Sequence, residues 1–348
     1  MKIQSVALKV PSYKLTNQVI LDLIAHHSNG VSKSKLKTYQ RIVDKLFKIN
    51  GSEVRYIRDE EKNEKASQFV VAAMTEALEK SAIDKNDIDL LIYCGVGKGF
   101  LEPANAYFFA DAMGMECSCF DIADACMSWV RALEISYHFL KSSQYENIMI
   151  INGEFNGEHA FPTNFEVKNL GQMAYTFPTY TVGEAASATI VTASDEPWSF
   201  HYKTQPDLCD LCNIPLAGYE SFVETKSRVG KNGINYFVAY GKEMFDSTEK
   251  YLTKLVKEHV NDLSAPDIYF PHAASNMAYL DAAKKITGSQ NIDKLYTKVF
   301  STYGNLVSAS IPAGIHLALE EGRLKRGDKV VFVPASAGMV YSVVQFTY

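Results

Sequence analysis

The sequence predicts an α/β protein made of two packed halves, and three observations carry that reading. Short, almost wholly apolar segments alternate with amphipathic helical ones, the pattern of a sheet covered on both faces. The order of these segments repeats once along the chain. The length, 348 residues, suits two domains of roughly 100–200 residues each.

The elements follow in order. Met1-Lys-Ile-Gln-Ser5 opens a strand rather than a signal peptide. Phe69 to Ser81 has helical spacing, then an acidic turn at Asp84 feeds a buried strand ending at Cys94-Gly95. In the second half, Met244 to Asn261 is again helical, and Ser264-Ala-Pro-Asp267 leads into Ile268-Tyr-Phe-Pro-His272. Glu146 to Gly153 parallels Gly327 to Pro334, and Ala186 to Thr192 parallels Tyr341 to Phe346. Two copies of one α/β unit result, 1–195 and 196–348, divided near residues 195 to 200. The aromatic-rich stretches Phe155 to Tyr180 and Phe200 to Tyr240 exceed ordinary connections. They read either as lids or tunnel walls, or as surface loops with a few core anchors.

Composition narrows the function. Hydrophobic residues make up 47% and charged residues 22%, a globular composition. Lys plus Arg is 35 against 40 for Asp plus Glu, a net charge of −5, without the basic excess of a nucleic-acid binder. No apolar run reaches the ~18–20 residues of a membrane span, and the expected compartment is the cytoplasm. The six cysteines read as thiols rather than a disulfide framework. Cys209-Asp-Leu-Cys212 is a lone CxxC without a second pair, so no metal is expected. No glycine-rich phosphate loop is present, so no nucleotide cofactor is expected.

Phe120-Asp-Ile-Ala-Asp-Ala-Cys126-Met-Ser-Trp-Val is a strand running into a helix with Cys126 at the turn. A thiol at a helix N-terminus is favoured as thiolate, hence as a nucleophile; a buried inert cysteine is the alternative. Tyr269-Phe-Pro-His272 puts a histidine just past a buried strand, and Tyr303-Gly-Asn305 puts an asparagine in a turn before a helix. Thioester chemistry needs a thiolate to accept an acyl group and donors to hold the oxyanion or enolate that follows. A neutral imidazole and a carboxamide supply such donors. Singly, His272 also reads as a core residue and Asn305 as a turn former.

The Cys126, His272 and Asn305 segments, with the helix from Ser310 to Glu321 and Arg323-Leu-Lys-Arg-Gly-Asp-Lys-Val330, resemble β-ketoacyl-acyl-carrier-protein synthase III, a condensing enzyme of the thiolase superfamily. Asn50 to Ile57, Val182 to Ala188 and Gly241 to Phe245 resemble further family segments. The resemblance implies a thiolase fold, a five-layer αβαβα sandwich of duplicated halves, and a homodimer. It implies a Cys126, His272, Asn305 triad and an oxyanion hole from backbone N–H groups of Cys126 and the C-terminal loop, here Ser336-Ala337-Gly338 in place of three glycines. Lys284 and Lys285 match the family's carrier-protein docking pair. Lys45 and Ile49 stand where many members stack coenzyme A adenine, so carrier-protein-bound substrates are expected. An exposed two-lysine helix face is the plainer reading of Lys284 and Lys285.

Three acidic residues depart from the pattern. Glu102, in Leu101-Glu-Pro-Ala104, aligns with a family Phe that closes the partner subunit's acyl tunnel. A carboxylate in an apolar channel has a raised pKa and serves as a base. The arrangement resembles the branch joining two long acyl thioesters and the synthases that combine β-ketoacyl units into cyclohexanedione or resorcinol rings. A surface glutamate before a proline turn is the alternative. Glu154, at a strand end facing the same site, is a second candidate base, and Asp124 reads first as a helix cap. The expected reaction is a Claisen condensation through S-acyl Cys126. Acyl transfer to an oxygen or nitrogen acceptor, a catalytically silent dimer partner and a Cys-His hydrolase on another fold are the alternatives.

Overall fold

The computed structural model describes residues 1–157, 163–287 and 291–348. The first half runs β1 (Lys2–Lys9), β2 (Tyr13–Thr16), α1 (Asn17–His27), α2 (Lys33–Asn50), β3 (Val54–Ile57), α3 (Ala66–Ser81), β4 (Leu90–Cys94), α4 (Asn105–Met113), β5 (Ser118–Ile122), α5 (Ser128–Lys141), β6 (Asn147–Glu154) and β7 (Ala185–Thr192). The second runs β8 (Ser199–Thr204), β9 (Cys212–Asn213), β10 (Val238–Ala239), α6 (Gly241–His259), β11 (Ile268–Pro271), α7 (Asn276–Thr287), α8 (Lys298–Tyr303), α9 (Ser310–Glu320), β12 (Lys329–Val333), β13 (Ala335–Ser336) and β14 (Val340–Thr347).

The duplication is visible in pairing. One sheet has the order β1-β7-β6-β4-β5, antiparallel at β1–β7 and β7–β6 and parallel at β6–β4 and β4–β5. The other repeats it as β8-β14-β12-β11, antiparallel, antiparallel, parallel. A parallel bridge from Tyr269 to Leu295 stands where the first sheet has its fifth strand. Strands β4, β6 and β7 are buried at nearly every position, because helices cover both faces.

Five layers follow. Helices α3 and α4 cover the outer face of the first sheet, α6 and α7 that of the second, and α5 and α9 lie between the sheets. The largest core is this middle layer, where Trp129 of α5 meets Phe332 of β12 at 5.6 Å between ring centroids. This is the thiolase-type αβαβα sandwich. The second-half helix begins at Gly241, three residues before the expected Met244, and ends at His259 rather than Asn261.

The long insertions divide between the two expectations. Phe165, Val167, Phe177 and Tyr180 pack beneath α1 and α2 with Tyr39 and Phe47, so the described part of the first insertion supplies core anchors. In the second, Phe200 joins the core through β8, while Phe222 stands 92% exposed. No helix among the described residues is long and apolar enough to cross a membrane.

Candidate active site

The site forms where several parallel strands end, the usual location for chemistry in α/β sheets. Glu154 closes β6, His272 follows β11, and the Ser336-Ala337 loop follows β12. Cys126 sits in a single 3₁₀ turn, Ala125–Met127, between β5 and α5. Ala125 has φ 45°, a left-handed conformation that turns the chain abruptly ahead of the thiol. The turn packs against β13 and against residues 307–309, immediately after Asn305. Ser336 joins two of these pieces: its hydroxyl accepts from the Met127 N–H at 3.1 Å and donates to the Asp124 carbonyl at 3.3 Å.

The Ala337 N–H lies near the Cys126 thiol, where it can reach an acyl oxygen carried on the sulfur. Gly338, with φ 76°, turns the loop after it. The expected lowering of the thiol pKa does not occur. Burial pushes it well up, and neighbouring Cys212 and the Glu154 charge add to this, against the Ala337 N–H and Ser336 hydroxyl. Desolvation outweighs the helix terminus, so the thiol needs a proton acceptor at the moment of attack. Cys212, treated from sequence as loop chemistry without function, therefore lies in the electrostatic surroundings of Cys126.

His272 is 5% exposed, and burial pushes its imidazole down to about 4, so it is neutral near pH 7 and offers an N–H. Asn305 is held from three sides. Its N–H donates to the Thr181 carbonyl at 2.8 Å, its carbonyl accepts from the Gly183 N–H at 3.0 Å, and its side-chain Oδ1 accepts from the Val307 N–H at 2.9 Å. With Oδ1 committed, the carboxamide presents its Nδ2 donors.

The acidic residues fall differently. Asp124 does not cap the turn with its side chain; it pairs with Arg131 of α5 at 3.0 Å. Glu102 is solvent-exposed, in the loop between β4 and α4, so within one chain it occupies no apolar channel. Exposed Phe100, Leu101, Tyr107 and Phe108 surround it in sequence, with Phe100 and Phe108 stacked at 4.1 Å.

Glu154 is fully buried, but not as a free base. Its carboxylate accepts from the N–H groups of Val96 and Gly97, from Asn156 Nδ2 at 2.8 Å, and from the Ser308 N–H at 3.2 Å and hydroxyl. These donors use the ~4 lone-pair sites of a carboxylate. Burial nonetheless pushes the Glu154 carboxyl pKa up, with these hydrogen bonds opposing the rise.

Lys284 and Lys285 are both exposed; Lys285 is ion-paired to Glu249 of α6 at 2.6 Å. Sequence reasoning missed Ser308, Ser336 and Tyr279. Tyr279 is buried, and burial pushes its hydroxyl pKa well up, with the backbone of Ala335 and His272 opposing this and nearby Cys126 adding to it, so its hydroxyl lies among the histidine loop, the C-terminal loop and the cysteine turn. Ser336 lay inside the quoted C-terminal loop and Ser308 three residues past Asn305, but a serine carries no spacing signal of its own.

Fold and site together define a condensing acyltransferase of the thiolase type. Models of two parts of the 3-oxoacyl-[acyl-carrier-protein] synthase III family match residues 120–206 and 259–348. β-Ketoacyl-[acyl-carrier-protein] synthase III 1 of Vibrio parahaemolyticus is 27% identical over 286 residues, 80% of this chain and 83% of that protein. The Fusobacterium nucleatum synthase III is 22% identical over 99% of this chain and 100% of its own length. The chain belongs to the β-ketoacyl-acyl-carrier-protein synthase III family. Among solved structures, the synthase III of Aquifex aeolicus superposes with a TM-score of 0.79 at 20% identity, covering 100% of this chain and 99% of that one. OleA of Xanthomonas campestris gives 0.82 at 19%, covering 99% and 98%, in a cysteine variant with lauric acid and lauroyl-CoA bound. OleA has also been solved with a histidine and a glutamate substituted.

Proposed function

We propose that this enzyme joins two acyl or β-ketoacyl units, delivered as carrier-protein thioesters, through an S-acyl Cys126 intermediate. The observation that carries the reading is convergence: the Cys126 turn packs on both the Asn305 loop and the Ala337 loop, and the Ala337 N–H lies near enough to the thiol to oppose the rise in its pKa. The thiol attacks the first thioester, the carrier's sulfur–acyl bond breaks as the Cys126 sulfur–acyl bond forms, the thiol proton passes to the departing carrier thiolate, and the Cys126 and Ala337 N–H groups hold the carbonyl oxygen. A carboxylate base takes the α-proton of the second thioester, neutral His272 and the Asn305 carboxamide hydrogen-bond its carbonyl as it becomes an enolate, and the enolate attacks the acyl-enzyme, forming the carbon–carbon bond and releasing the Cys126 thiolate. Retention of all three residue types at the family's positions supports an active enzyme over a silent partner.

Glu102 enters as the second copy's base in a homodimer. Strand β5 is an edge strand with no outer partner among the described residues, and the apolar side chains around Glu102 are exposed beside it. Pairing β5 edges would cover both. A basic surface supports a carrier protein as donor: Lys33, Lys35, Lys37, Arg41 and Lys45 of α2 are exposed without an ion pair among the described residues, and α2 packs on α7, which bears Lys284. An acidic partner fits this face of an otherwise acidic chain.

The test is intact-protein mass after incubation with acyl and β-ketoacyl carrier-protein thioesters, alongside Cys126→Ala. A mass gain in the wild type alone, followed by a carbon–carbon coupled product, supports the proposal. An ester or amide product, or no gain with any donor, overturns it.

A further inference from the structure

We propose that Glu154 is a positioning carboxylate, joining the root of the Glu102 loop to the turn that presents Asn305 and acting on condensation through Ser308. The inference rests on the condensation proposed above and gives Glu154 a role other than proton transfer.

Three chain segments meet at this one side chain. The Val96 and Gly97 N–H groups start the loop that carries Glu102. Asn156 Nδ2 secures the chain leaving β6. Ser308, from the other half, contributes both its N–H and its hydroxyl. The direction of the Ser308 proton is fixed, because its oxygen already accepts from Asn152 Nδ2 at 2.7 Å, and Asn152 Oδ1 in turn accepts from Ser187 at 2.8 Å. Ser187, Asn152, Glu154 and Ser308 are all buried. Every group hydrogen-bonded to the carboxylate is a donor, so the network favours the anion, against the burial that pushes its pKa up.

The local backbone is shaped around it. Gly95 has φ 133°, and a Cβ there would meet Glu154 Oε1 at 2.6 Å; a Cβ on Gly97 would run into the Gly153 carbonyl. On the other side, Val307 has φ 50°, a conformation a β-branched residue adopts only under constraint. Val307 lies between Asn305, whose Oδ1 takes its N–H, and Ser308, which is bonded twice to Glu154. Releasing Ser308 frees Val307 to relax, and the carboxamide turns with it. Acylation of Cys126 draws its oxyanion donors from the Cys126 and Ala337 N–H groups and condensation draws on the Asn305 carboxamide, so the two half-reactions separate.

The experiment measures both half-reactions in single turnover: formation of acyl-Cys126 by mass, then product formation on adding the second thioester. Ser308→Ala is expected to acylate within about twofold of the wild type and to condense about 10²-fold more slowly, the scale of a ~1 Å misplacement. Ser308→Thr restores the hydroxyl and is expected to recover condensation. Glu154→Gln, which keeps the size and removes the charge, is expected to shift Cys126 alkylation toward lower pH, whereas Ser308→Ala leaves that profile in place. Equal loss of both half-reactions with a lowered melting temperature and no rescue by Thr would make the role merely structural and overturn the inference. So would a Ser308→Ala variant that condenses at the wild-type rate. A wild type that never acylates sinks the condensation reading and this inference with it.

Discussion

The neutral state of His272 has a consequence for stability that is worked out from two numbers. In the folded protein the imidazole is pushed down to about 4 by burial; in the unfolded chain it returns to about 6.5. Between these values the unfolded state binds a proton that the native state refuses, so stability falls as pH falls through this window. The contribution is fully present above about pH 6.5 and is lost below it. From pH 7 to pH 5 the loss is about 2 kcal/mol, and at pH 4 and below it approaches 3 kcal/mol, at ~1.4 kcal/mol per unit.

The assay is denaturant unfolding of the wild type and His272→Asn at pH 7 and pH 5. Other groups titrate identically in both proteins, so the difference of differences belongs to His272. The wild type should lose about 2 kcal/mol more than the variant over this interval. Equal losses would show that the imidazole is free to protonate in the folded state, and the argument that it serves as a neutral donor would go with it. The same burial predicts the rate profile. Condensation should hold down to about pH 5, where an ordinary histidine would be mostly charged.

Three further outcomes follow. Cys126 should react with iodoacetamide slowly at pH 7 and increasingly toward alkaline pH, since burial raises its pKa; rapid alkylation at pH 6 would contradict this. Asn305→Ala removes both the Val307 bond and the Nδ2 donors, and should lower the condensation rate about 10²–10³-fold while acyl-Cys126 still accumulates in the mass assay. Glu102→Gln should preserve acylation and suppress condensation. Activity regained on mixing Cys126→Ala chains with Glu102→Gln chains would place the carboxylate across the interface, and no recovery would refute that placement; a Glu102→Gln protein that condenses normally would make it a surface residue.

The architecture was legible because it rests on periodicity. Segments such as Leu90 to Cys94 and Ile148 to Ile151 are apolar at every position, which only a doubly covered strand tolerates. The repeat of such segments survives as matching strand order and direction in the two sheets. Cys126, His272 and Asn305 were legible for a different reason: each is a chemically distinctive residue at a strand end or turn. The aromatic insertion was ambiguous because Phe165, Phe177 and Tyr180 look alike in a lid and beneath α1 and α2. Composition does not say which apolar surface a loop meets.

What sequence could not reveal is the charge balance inside the site, and the reason is physical. A helix N-terminus is a local feature and argues for a thiolate at Cys126; burial, Cys212 and Glu154 come from distant segments and decide the opposite. The same holds for Glu154, whose chemistry is set by Val96, Gly97 and Ser308, the last lying 154 positions away. Burial raises the pKa of this glutamate, and the N–H and O–H donors brought to it by those segments oppose the rise. The strained residues make the same case. Ala125, Val307 and Met339 each carry a positive φ, one in each of the Cys126, Asn305 and Ala337 loops, at a cost of order 1–3 kcal/mol apiece. No residue preference predicts such conformations for Ala, Val or Met. They persist because contacts between the two halves over-determine the loops, so the geometry of the site belongs to the assembled sandwich and to neither half alone.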